Sequence, residues 1–134
     1  MPLVRIVPKN ETIQRVLAGK MGEIRPSLKS VICTISGFPE HDVIVSLVRP
    51  ETVDPDPYEA DFVVFADTCP HEGLEANANQ LCTQMAQKLI DLGFTYLSFE
   101  VWLRFLPGPW CLVGDGKILD TVSHPRSVTN EPKG

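Results

Sequence analysis

No apolar run in these 134 residues approaches the roughly 20 consecutive apolar positions that a bilayer-crossing helix needs. The first apolar run, close behind Met1, is short and leads into polar, helix-like sequence, so no secretory leader is expected. A cytoplasmic location and no membrane partner follow as default expectations. Basic charge is not in excess either. Twelve Lys and Arg against 17 Asp and Glu leave a net charge of -5, which argues against a nucleic-acid partner needing a basic footprint. The cysteines Cys33, Cys69, Cys82 and Cys111 lack C-x-x-C spacing, so free thiols and no metal site are expected. The glycines are too dispersed for a phosphate loop or a dinucleotide fingerprint, and no cofactor is expected. What remains is an ordinary globular composition, 43% apolar and 22% charged, at a length that suits one domain.

The pattern along the chain is regular. "PLVRIV" reads as a short strand. A long stretch with Ile13, Leu17, Ile24, Leu28, Val31 and Ile35 at helical spacing follows, with Asn10 as its N-cap and Pro26 expected to interrupt or kink it. "GFPEH" ends that segment, and "DVIVSLVRP" is a second strand. An acidic loop with two prolines, "ETVDPDPYEA", precedes a third strand, "DFVVFAD". Residues 74–93 form one helix with Leu74, Ala78, Leu81, Met85, Leu89 and Leu92 as its apolar stripe, closed by Gly93. "FTYLSFEVWLRF" is a long fourth strand. "WCLV" and "KILDTV" around "GDG" suggest a hairpin, and from 124 to 134 the chain is a polar, proline-containing tail.

The order β-α-β, β-α-β, tail predicts a single domain over 1–123. It is an α/β two-layer sandwich: tandem β-α-β units form a four-stranded mixed sheet with two helices on one face, plus a C-terminal hairpin. The other face of that sheet needs a partner. On the fourth strand Leu97, Phe99, Val101, Leu103 and Phe105 alternate with Tyr96, Ser98, Glu100, Trp102 and Arg104. The second set is polar but holds two large aromatics, and a subunit interface accounts for them.

Pro2 stands directly behind Met1. Proline lacks an N–H, so the first residue of a strand is one of the few sheet positions that tolerates it. Methionine removal would also expose its ring nitrogen as a secondary amine, able to act as a base.

Together these features resemble the tautomerase superfamily. Within it they are most similar to the 5-carboxymethyl-2-hydroxymuconate isomerase and macrophage migration inhibitory factor-like group. The likeness rests on Pro2, on "RPSL" (Arg25 to Leu28) in the first helix, and on the "FP" turn (Phe38, Pro39). It is completed by "LSFE" (Leu97 to Glu100) in the fourth strand, and covers roughly residues 2 to 105. The resemblance implies a homotrimer and a cofactor-independent tautomerase or isomerase. The substrate would be a small keto or enol carboxylic acid, with Pro2 as general base. It implies a neighbour for Pro2 near Asp67, with Tyr96 and Ser98 entering from an adjacent subunit. Two other outcomes stay open: a decarboxylase or hydratase using protonated Pro2, and a non-catalytic trimer of the same fold with a structural or ligand-binding role.

Relatives place a carboxylate-binding arginine in the second strand or near the first helix. Here the second strand reads "VIVSLV", with no arginine before Arg49 at its end. Arg49 and Arg104 are therefore the candidates for the clamp, each able to hold a carboxylate through two donors. Arg104 is equally suited to an ion pair with Glu100. Asp67 could hold the proline ammonium, take a substrate proton, or tie down the turn behind it. His71, just before the second helix, could serve as acid or oxyanion partner. Glu100 could orient a water, and Trp102, with Leu3 and Phe65, could supply a dry wall.

Overall fold

Val4, Ile6 and Pro8 alternate with Leu3, Arg5 and Val7 along the first strand, β1 (Leu3–Pro8), and only the former set is buried. In the computed structural model, which describes residues 2–106 and 110–122, this strand is the hinge of the sheet. It runs parallel to β2 (Ile44–Leu47) on one side and antiparallel to β3 (Phe62–Thr68) on the other, and β4 (Phe99–Phe105) adds in parallel to β3. The order β2-β1-β3-β4 makes the expected four-stranded mixed sheet, each parallel pair joined by a helical crossover.

The first crossover is two helices, not one: α1 (Glu11–Ala18) and α2 (Met21–Ser36). Asn10 caps α1 as expected, its side-chain oxygen accepting the Ile13 N–H at 2.9 Å. The break falls at Gly19 and Lys20, not at Pro26. The apolar spacing 13, 17, 21, 24, 28 passes through that break without a phase change, so periodicity alone merges the two helices. Pro26 sits inside α2. A proline there costs about 3 kcal/mol, but Met21, Ile24, Leu28, Val31 and Ile32 are buried on both sides of it. At roughly 1.5–3 kcal/mol for each such side chain, burial outweighs the lost hydrogen bond. Gly37, at φ +81°, ends the helix.

The second crossover also divides, into α3 (Glu72–Ala76) and α4 (Ala78–Asp91). Asn77 makes the joint: its side-chain amide donates to the Gly73 carbonyl at 2.8 Å and competes with the helical backbone pattern. Gly93, at φ +106°, closes the segment as expected. The fourth strand is shorter than its pattern suggests. Its ladder ends where β3 begins, so residues 94–98 have no strand to pair with.

All the helices lie against one face of the sheet. The core joins Val4, Ile6, Val45, Phe62 and Val64 of the strands to Leu17, Leu28, Met85 and Leu89 of the helices. Phe62 stacks on Phe99, with ring centroids 4.9 Å apart. Leu97, Phe99, Val101, Leu103 and Phe105 pack toward this core as the alternation predicts. The opposite face is uncovered, and Leu3, Ile44 and Trp102 on it are 39%, 42% and 51% exposed. The expected hairpin forms a separate sheet, β5 (Trp110–Gly114) and β6 (Lys117–Val122). Its turn places Asp115 and Gly116 at φ 51° and 75°, the paired positive values of a two-residue hairpin turn. The boundary at 123 and the tail from 124 lie outside the described residues. Among the described residues, no helix is long and apolar enough to cross a membrane.

Candidate active site

The β1–β3 register sets Leu3 opposite Asp67, so Pro2 falls at the same end of the sheet as the C-termini of β3 and β4. Pro2 is buried, and its carbonyl accepts the Ile44 N–H at 3.1 Å, which ties the start of β1 to β2. By alternation Pro2 continues the helix-facing row of Val4 and Ile6. Asp67 stands one step over, on the uncovered face.

Asp67 is only 7% exposed. Both its oxygens are held by Arg104, the cross-strand partner in the β3–β4 ladder: Nε donates to Oδ1 at 2.6 Å and Nη2 to Oδ2 at 2.8 Å. Arg5, from the middle of β1, brings a second guanidinium to within 3.6 Å of Oδ2. Both guanidiniums lie over the Phe65 ring, Arg104 at 4.3 Å and Arg5 at 5.8 Å from its centroid. The bonds from Asp67 push the Arg104 guanidinium still further from deprotonation than an ordinary arginine. Asp67 is engaged by arginine through one bond to each oxygen. One expectation is thereby corrected. Arg104 pairs with Asp67 on the neighbouring strand, and not with Glu100, which instead accepts the Trp102 indole N–H at 2.8 Å.

His71 lies in the turn behind β3, at this same end. Its ring meets Phe38 edge-on, with centroids 4.6 Å apart, and covers Gly73, where a Cβ would come within 3.2 Å of it. Among the described residues its buried Nδ1 has no hydrogen-bond partner. Thr68 turns its hydroxyl to the Cys69 carbonyl at 3.2 Å, at the start of this turn.

Arg49, Tyr96 and Ser98 lie elsewhere. Arg49 follows β2 and lines an open groove of about 590 Å³ with Asn10, Glu11 and Arg15, at the end of the sheet opposite Pro2. The six residues of β1 separate the two ends by about 20 Å. Ser98 is bound to Asp61 at that far end, and Tyr96, 68% exposed, stands beside it. A single chain therefore brings Pro2, Asp67, Arg104 and His71 to one end, sets Glu100 and Trp102 midway on the uncovered face, and keeps Arg49, Tyr96 and Ser98 apart. Of the dry-wall residues, Leu3, Phe65 and Trp102 share the uncovered face and not the helix-facing side of Pro2. Arg5 is a residue the sequence reading missed: alternation turns it away from Pro2 and so onto the face of Asp67. None of the four cysteines is in a disulfide, and burial pushes the Cys33 and Cys82 thiols up, away from nucleophilic use.

No family model and no curated protein matches the chain. Solved structures do. A fused 4-OT wild-type asymmetric trimer superposes with a TM-score of 0.60 at 14% identity, over 96% of this chain and 99% of that one. FG41 malonate semialdehyde decarboxylase, inhibited by 3-bromopropiolate, gives 0.52 at 13% identity, over 100% and 98%. The macrophage migration inhibitory factor-like protein of Entamoeba histolytica gives 0.51 at 14% identity, over 80% and 88%. All three are tautomerase-superfamily proteins. The fold of this chain is therefore that of the tautomerase superfamily.

Proposed function

We propose that this chain is a cofactor-independent tautomerase that moves a proton within a small keto or enol carboxylic acid, with Pro2 as the base. Removal of Met1 would leave the Pro2 ring nitrogen as a secondary amine. An α-amine ordinarily titrates at about 7.7–8.0. Burial favours its uncharged form. Such an amine takes a proton from the carbon beside the substrate carbonyl, leaving an enolate. The same nitrogen returns that proton at the conjugated position, so no atom is gained or lost. Arg104 would face the substrate carboxylate and the growing negative charge, and His71 would offer a further polar contact.

One observation carries this reading. The β1–β3 register brings a buried Pro2 to the same end of the sheet as the Asp67–Arg104 pair. The uncovered face, with Leu3, Ile44 and Trp102 exposed, supports assembly as a homotrimer with the site at a subunit boundary. In that assembly Tyr96, and Arg49 with its groove, could reach a neighbour's Pro2, whereas Ser98 belongs to a clasp within its own chain.

The test pairs intact mass with kinetics. The native protein should lack Met1 and should turn over at least one member of a panel of enol and keto acids. Pro2→Ala should lower that turnover by about 100-fold or more while leaving the oligomer intact. Retained Met1, or unchanged turnover in the variant, would sink the proposal in favour of a non-catalytic trimer.

A further inference from the structure

We infer that Asp67 is the positioning residue of this site: it grips the Arg104 guanidinium side-on and so presents that guanidinium's outer edge to a ligand carboxylate. The ligand class rests on the proton-transfer reading above; the geometry rests on β3 and β4 alone.

Arginine carries five N–H donors in one plane. Asp67 takes Nε–H and one hydrogen of Nη2, at 2.6 and 2.8 Å, one on each of its own oxygens. Two hydrogens on Nη1 and one on Nη2 remain, along the outer edge of the fork, and among the described residues no acceptor meets them. The two halves of the pair differ in burial. The Asp67 side chain is 8% exposed and that of Arg104 is 40% exposed, so the carboxylate anchors the pair and the guanidinium reaches outward. Phe65 beneath it, 4.3 Å from the guanidinium carbon, fixes the plane. Two contacts thus hold a long side chain that would otherwise lose much rotamer freedom on binding a ligand.

Charge points the same way. Arg5 stands 3.6 Å from Asp67, so one buried carboxylate faces two guanidinium groups and cannot neutralise both. Glu51, 4.0 Å from Arg5, is 63% exposed and is a solvent-screened counterweight. Two guanidinium groups over a flat aromatic floor, with only one of their two carboxylates buried, suit a planar monocarboxylate.

The measurement is binding of 2-oxobutanoate and of its methyl ester, by calorimetry or ligand-observed NMR, to the Met1-free protein and its variants. The native protein should prefer the acid. Arg104→Lys, which keeps the charge but loses the fork, should cut that preference by about tenfold. Asp67→Asn should cut it comparably, through weaker acid binding, with ester binding falling far less. Asp67→Glu should recover part of the preference. A merely structural role would weaken acid and ester alike. Equal acid preference in the native protein, Arg104→Lys and Asp67→Asn overturns the inference, as does a native protein that binds neither probe. Should Asp67→Asn not fold, Arg104→Lys decides, because it changes only the exposed half of the pair. Pro2→Ala should keep acid binding while losing turnover. Turnover that survives in Pro2→Ala removes the proton-transfer reading and leaves the carboxylate clamp standing.

Discussion

Asp61 and Asp67 sit at opposite ends of β3, and the parallel β3–β4 register gives each a partner 37 positions later, Ser98 and Arg104. The two ends use this shared geometry differently. At the far end the network is closed. Lys9 approaches one Asp61 oxygen at 2.9 Å, and the Ser98 backbone N–H donates to the other at 2.9 Å. The Asp61 N–H returns a bond to the Ser98 hydroxyl at 3.1 Å, and the Lys9 N–H donates to the Asp61 carbonyl at 2.9 Å. The Lys9 bond, followed by the Ser98 N–H, holds the Asp61 carboxyl below the usual carboxylate range. Both Asp61 oxygens are engaged, and β1, β3 and β4 are clasped together. At the Pro2 end Asp67 is equally engaged, but its partner keeps three donors and a share of solvent. A closed network maintains the fold. An open one, with the same two-strand origin, leaves room for a ligand.

The largest expected effect breaks the clasp. Asp61→Ala strands the Lys9 ammonium and the Ser98 N–H, and should lower stability by about 3 kcal/mol, read from the urea midpoint. Its acid-over-ester discrimination should equal that of the native protein. A loss of discrimination like that of Asp67→Asn would mean that the two ends do not act separately.

Acid should reveal the same clasp more gently. The folded Asp61 carboxyl titrates below its unfolded value of about 3.9. Its contribution is therefore whole above the unfolded value and is lost as pH falls through the lower, folded one. The stability difference between the native protein and Asp61→Asn should be constant near neutrality and shrink steadily below about pH 4. A difference that persists undiminished to pH 2 would assign the stabilisation to something other than the charge on Asp61. Ser98→Ala removes the hydroxyl and keeps the backbone N–H, so it should cost only about 1 kcal/mol. Turnover falling more than stability would instead place a neighbouring subunit's far end in the active site.

The far end also shows where sequence pattern stops being informative. Strand alternation groups Ser98 with Trp102 and Arg104. It could not show that Ser98 lies past the last ladder pair, beside a turn carboxylate whose partner, Lys9, is far away in the chain. Helical spacing located both crossovers but not their breaks. At Gly19 the apolar phase continues across the joint, and at Asn77 a side-chain amide interrupts a stripe that stays in register. Pro26 failed as a signal for the opposite reason, because burial on both sides outweighs one missing hydrogen bond. Pro2, Asp67, Arg104 and His71 were each legible as residues with chemistry. Their pairing was not, since it depends on whether β3 and β4 align with an offset of 37 or a neighbouring value. A two-residue shift would have set Arg104 opposite Phe65 and left Asp67 with Leu106.

The smallest expected effect is the sharpest test of separation. Asp61 and Asp67 are six positions apart on one strand, about 20 Å. At that distance two unit charges in a water-like medium interact by about 0.2 kcal/mol, and salt at physiological strength screens most of it, since its Debye length is about 8 Å. Mechanical coupling is the remaining route, through Phe62, Val64 and Ala66, which are all buried in the core between the two ends. These side chains face the helices, whereas the Asp67–Arg104 pair lies on the uncovered face with Phe65, so the route must pass through the backbone of the sheet. The combined variant Asp61→Asn, Asp67→Asn should therefore lose stability by the sum of its two single variants, within about 0.5 kcal/mol. Denaturation midpoints of the four proteins close the cycle. A coupling well above that limit would show that the clasp at one end sets the geometry of Arg104 at the other, making β3 a single lever and not two independent ends.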